Sequence, residues 1–94
     1  MTFITELENT FAASSNAENA LAMAKYMKDL FPFYGIKTDE RRAILKSVCK
    51  KHQAEIDSNA RTIAWELFLK KERELQYCGI EIIIKSLKNN YVIE

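Results

Sequence analysis

The residues of this 94-residue chain that could do chemistry are concentrated near its middle. Arg42, Lys46 and Lys50 recur at every fourth position, Arg41 adjoins the first of them and Lys37 lies just upstream. On a helix, four-residue spacing puts side chains on one face. A file of cations on one face suits the phosphates of a nucleic acid, where each neutralised phosphate adds affinity that depends on salt and not on sequence. The same spacing is also common on ordinary solvated helix surfaces. Neighbouring helix positions lie about 100° apart, so Arg41 and Arg42 cannot both point the same way. One is expected to reach outward and the other to pair with an acid.

The net charge of +1 conceals this concentration. Residues 1–24 carry three acids and no Lys or Arg, and residues 52–94 are nearly balanced. Residues 25–51 hold eight bases against Asp29, Asp39 and Glu40, a local balance of +5. Basicity therefore belongs to one block, as expected of a surface that meets a polyanion.

Other chemistry-bearing residues read more plainly. Cys49 and Cys78 sit inside helical patterns rather than in a CxxC or loop setting, and are expected to be packed free thiols. His52 falls at a helix C-terminus, where the dipole favours a cation, and no Cys, His or carboxylate completes a ligand spacing around it. No metal and no cofactor is assigned. Glu74 and Gln76 read as hydrogen-bonding residues between helix pairs, and Trp65 as an interface side chain. Without a phosphate loop, an HExxH pair or a nucleophile elbow, no residue is assigned a catalytic role.

The elements that must position these groups are helices. With 48% hydrophobic residues, two glycines and one proline, the composition excludes disorder and leaves little material for hairpin turns. Phe3, Leu7 and Phe11 are spaced along one face of a helix over 3–13, capped by Thr2. Ser14, Ser15 and Asn16 end it and cap a second helix over 17–30, whose stripe of Ala20, Ala24 and Met27 with Leu21 would let another helix approach closely. Pro32 and Gly35 sit in an aromatic turn over 31–37, and Thr38 is the expected cap of a third helix over 39–52, with Asp39 and Glu40 in its first turn. Asp57, Ser58 or Asn59 caps a fourth over 59–70, and a fifth runs over 72–89. This amounts to a single all-α domain over 1–94 of about five helices, and the interval of roughly 34 residues between helix pairs suits paired-helix repeats.

No window of ~20 apolar residues could span a membrane, and the N-terminus has no basic segment leading an apolar core, so a cytoplasmic protein is expected. The fifth helix is apolar around most of its circumference and should be nearly surrounded by other helices. Only Asn90, Tyr91, Val92, Ile93 and Glu94 follow its predicted end. The chain therefore reads either as part of a longer helical array or as a unit that self-associates through this helix.

Three motifs in order carry a family resemblance. Ala-Lys-Tyr-Met-Lys at 24–28, the turn from Phe31 through Gly-Ile-Lys-Thr-Asp-Glu-Arg-Arg at 35–42, and Glu-Arg-Glu-Leu-Gln-Tyr at 72–77 resemble the N-terminal part of the DNA alkylation repair glycosylases built of HEAT-like repeats, the AlkD-like family. The resemblance covers essentially the whole chain and less than half of a usual member. It implies antiparallel helix pairs winding into an α-α superhelix that holds double-stranded DNA on a basic concave face, and metal-free excision of N3- or N7-alkylated purines. It also implies that the catalytic Asp belongs to a Trp-rich motif for which this chain has no match, so residues 1–94 alone are expected to be inactive. Tyr26, Lys37, Arg41 and Arg42 match the family's DNA-facing positions, although Tyr26 is equally well explained as core under Phe31 and Phe33. Asp39 stands where the family usually has Pro, and Phe68 where Trp is common.

Overall fold

The computed structural model describes residues 2–91, with side chains as far as residue 88. Five helices and no strand occur among the described residues: α1 (Phe3–Ala13), α2 (Ala17–Tyr26), α3 (Thr38–Lys51), α4 (Gln53–Phe68) and α5 (Arg73–Tyr91). Val92, Ile93 and Glu94, part of the tail expected to follow the last helix, lie outside the described residues.

Thr2 caps α1 as predicted, its hydroxyl accepting from the Thr5 N–H at 3.2 Å. Phe3, Leu7 and Phe11 are fully buried and supply one side of the core. They belong to one buried cluster with Ile36 from the aromatic turn, Leu45 and Val48 of α3, Ile63 and Leu67 of α4, and Leu75, Cys78 and Ile82 of α5. Polar contacts fix the helix directions. Glu6 near the start of α1 bonds Lys51 and His52 at the end of α3, while Phe11 packs its ring 5.7 Å from that of Tyr34, just before α3; α1 and α3 are therefore antiparallel. The four-residue turn between α4 and α5 makes a second antiparallel hairpin. Phe3 N–H to Glu55 and Lys70 to Glu8 set α4 parallel to α1. Two hairpins stacked in the same sense are consistent with a helical-repeat architecture.

Four expectations are corrected. First, α2 stops at Tyr26 instead of reaching residue 30. Lys28 takes the left-handed conformation (φ 57°) that usually falls to glycine after a helix, with Asp29 N–H bonding Ala24 C=O and Lys28 N–H bonding Lys25 C=O. The helix is thus closed before Pro32 can act. Second, Lys37 holds the N-cap position of α3 without a side-chain cap bond, and Thr38 is already helical. Third, no connection separates residues 52 and 59. His52 alone turns the corner between α3 and α4, held at 2.8 Å by Glu6 and edge-on to Phe3. Residues 53–58 are helical, and Asn59 (φ −135°, ψ 28°) breaks α4 at a kink, so its second segment starts where the fourth helix was expected to begin.

The fourth correction concerns α5, which is covered on one side only. Leu75, Cys78 and Ile82 are buried, while Ile80, Ile84 and Leu87 are exposed. Gly79 allows α4 to lie close, since a Cβ there would meet Ala64 C=O at 2.9 Å.

Candidate nucleic-acid interface

The basic row stands on the solvent side of α3. Arg42, Lys46 and Lys50 are all exposed, at intervals of about 6 Å along the axis. Arg41, one position back, is turned inward and only 6% exposed. Its Nη1 donates to Glu81 Oε2 at 2.6 Å, and Arg42 Nε donates to Glu81 Oε1 at 3.0 Å. The two arginines leave the helix in different directions, as adjacency requires, yet α5 brings one carboxylate to both. That shared partner was not foreseen. Burial removes Arg41 from the solvent-facing set, whereas Arg42 is held at one nitrogen and keeps its other donors on the surface.

Behind this pair runs a ladder of cations and rings. The Arg41 guanidinium lies 5.2 Å from the Tyr77 ring centre, Arg73 lies 5.0 Å from the same ring, and Arg73 also stacks 4.1 Å from Phe31. Arg73 Nη1 donates to Gln76 Oε1, and Gln76 Nε2 caps the end of α4 at Lys70 C=O. Gln76 thus ties the turn after α4 to α5 within one hairpin, and does not bridge helix pairs as predicted.

Glu74 is the more consequential bridge. It is 1% exposed, and its carboxylate accepts the backbone N–H groups of Tyr34, Gly35 and Ile36 at 3.0, 3.0 and 3.1 Å. One anion therefore satisfies three consecutive amides of a turn that no helix or strand could satisfy. Gly35 (φ +91°) presses that turn against α2, where a Cβ would fall 2.0 Å from Asn16 C=O. The small residues of α2 therefore admit a loop and not another helix. Burial, with Glu72, Glu8 and Glu74 nearby, pushes the Tyr34 hydroxyl up to about 12.

Between α3 and α5 lies a groove of about 490 Å³. Leu45, Cys49 and Ile82 form its floor, and Arg42, Lys46, Lys50 and Lys85 its rim. Lys85 was missed by the sequence reading. The signal that could have found it is the four-residue row Arg73, Tyr77, Glu81, Lys85, which runs along α5 beside the row on α3. Lys37, at the cap of α3, is exposed near the aromatic turn. Tyr26 ends α2 at 87% exposure, so its alternative placement in the core does not hold. Trp65, expected at an interface, is also exposed, with its ring 6.4 Å from Phe68.

The groove offers guanidinium and ammonium donors to an anion. Burial raises the pKa of its Cys49 thiol, opposed by Lys85 and reinforced by Glu81. Burial pushes Cys78 up to about 12. No cluster of three or more metal-ligating side chains occurs among the described residues, and no described helix is long and apolar enough to cross a membrane. In comparisons with known proteins, residues 7–92 match the family described as DNA alkylation repair enzyme. No curated protein gives a significant match.

Proposed function

The chain belongs to the DNA alkylation repair enzyme family, and from that premise we propose that it supplies backbone contacts to double-stranded DNA in the removal of N3- or N7-alkylated purines, with the catalytic centre carried by repeats outside residues 1–94. The observation that carries this reading is the file of Arg42, Lys46 and Lys50 along α3, faced by Lys85 across the groove. Tyr26 and Lys37 lie on exposed positions of α2 and the turn that follows it, and would extend the contact. Arg41 acts from beneath, fixing Glu81 and through it Arg42.

Such a surface reads phosphate and not base sequence, so affinity should fall steeply with salt, by a slope of roughly 0.9 per phosphate neutralised. Fluorescence anisotropy with a labelled duplex at low salt tests this. Arg42→Glu and Lys46→Glu should each weaken binding and together flatten the salt slope by about two phosphates' worth. Binding indifferent to both substitutions would refute the interface. Incubation of residues 1–94 with alkylated DNA should release no base, and release would overturn the placement of the chemistry.

A second reading is favoured by the exposed Ile80, Ile84 and Leu87 on α5. An interaction module that pairs with itself through this face would run as a dimer in size-exclusion chromatography with light scattering, and a monomer at high concentration would exclude self-association, leaving only a different protein as its partner.

A further inference from the structure

The groove between α3 and α5 has a feature that phosphate contacts leave unused. Salt links to phosphate engage the rim cations, yet Leu45, Cys49 and Ile82 form an apolar floor between those rims. We propose that the same groove receives an acidic amphipathic helix of a protein partner, which would compete with DNA for the rim cations.

Shape and charge select this occupant. The α3 wall runs from Arg42 to Lys50, about 12 Å of helix axis, which matches roughly two turns of an incoming helix, and Gln53 of α4 continues the lining past the corner at His52. Toward the start of α4 the trough continues into a second hollow of about 230 Å³, where Ile56 and Ala60 extend the apolar floor, Cys49, Ile82 and Lys85 are shared walls, and Asp57, accepting from Gln53, disfavours acids at that end and leaves the Glu of an incoming helix to the larger hollow. A helix with Leu at three- and four-residue intervals would put those side chains on the floor. Glu flanking the Leu stripe would meet Lys46 and Lys50 on one rim and Lys85 on the other. The only acid among the residues lining the larger hollow, Glu81, is already engaged by Arg41 and Arg42, so the rim repels an acidic partner little. The inference goes beyond DNA binding and does not rest on it.

The test uses two fluorescein-labelled peptides of about sixteen residues with identical Leu and Glu content, one with Leu on a single helical stripe and one with Leu scattered around the helix. The striped peptide should bind about tenfold tighter than its isomer, shift the methyl resonances of Leu45 and Ile82, lose most of its affinity in Lys46→Glu/Lys85→Glu, and be displaced by a duplex if DNA uses the same rim. Equal binding of the two peptides, or striped binding without methyl shifts, would mean charge attraction alone and would overturn the proposal, as would no binding. Peptide binding with no duplex binding would sink the DNA reading and leave this one standing. Duplex binding without the stripe preference would do the reverse.

Discussion

Replacing Glu74 with glutamine changes one atom type at the junction of the turn, α2 and α5, and the structure sets the size of the effect. The carboxylate gives Oε1 to Tyr34 N–H and Oε2 to both Gly35 and Ile36 N–H. Glutamine fills the same volume but has one acceptor oxygen. In its best orientation that oxygen keeps Gly35 and Ile36, and the amide NH₂ then faces the Tyr34 N–H, donor against donor. One charge-assisted bond is lost, an N–H is orphaned, and the two remaining bonds fall to neutral strength. Hydrogen bonds to charged groups contribute about 1.5–3 kcal/mol each and an orphaned buried group costs about 1–3. Against this, glutamine avoids the desolvation of a buried carboxylate, itself several kcal/mol. With three donors aimed at one anion the bonds should win, leaving a net loss of roughly 2–4 kcal/mol. For a domain of this size that lowers Tm by roughly 10–25 °C, measurable by circular dichroism. A Glu74→Gln protein melting within about 3 °C of the unmodified chain would show that desolvation cancels the bonds and that the turn is held by something else.

Three further outcomes follow from features already described. Gly35→Ala must place a methyl 2.0 Å from Asn16 C=O at φ +91°, so it should cost about 3 kcal/mol or more and lower the urea midpoint accordingly. Glu6 is held below its ordinary value of 4.5 by hydrogen bonds from His52 first and Lys51 second. A depressed carboxyl pKa adds stability that is present above the unfolded value and lost as pH falls through the folded one. The stability difference between the unmodified chain and Glu6→Gln should therefore be constant at neutral pH and shrink below about pH 4.5. Finally, with Cys78 pushed up to about 12 and Cys49 raised, a thiol reagent at pH 8 should leave Cys78 unlabelled and modify Cys49 slowly, while both react promptly after denaturation.

Helix identity was legible wherever apolar spacing was regular. Phe3, Leu7 and Phe11 specify α1 and its burial, and Leu75, Cys78 and Ile82 specify the covered face of α5. Boundaries failed where local rules were overridden. A lysine does what a glycine usually does at the end of α2, and the corner at His52 is made by contacts to α1 that no local pattern reveals. The same division runs through the candidate site. The α3 row was readable because its spacing is local. The burial of Arg41, the convergence of both arginines on Glu81, the place of Lys85 and the threefold grip of Glu74 depend on bringing residues about 40 positions apart into register, which periodicity along one helix cannot supply.

α2 contains no buried residue. It is tied down by Asn16 N–H to Tyr34 C=O, by Asn19 to Gly35 C=O, and by the close approach of Gly35. Elements with few buried apolar contacts open at low free energy without disturbing the core. The candidate surface therefore has two mechanical halves. The cations of α3 and α5 sit on helices anchored in the core, and their spacing is a fixed ruler. Tyr26, Lys25 and Lys28 belong to a segment held by the turn that Glu74 grips and not by buried apolar side chains of its own. A ligand that engages both halves must order the loosely packed one as it binds, and the entropy so lost limits how much affinity that half can add.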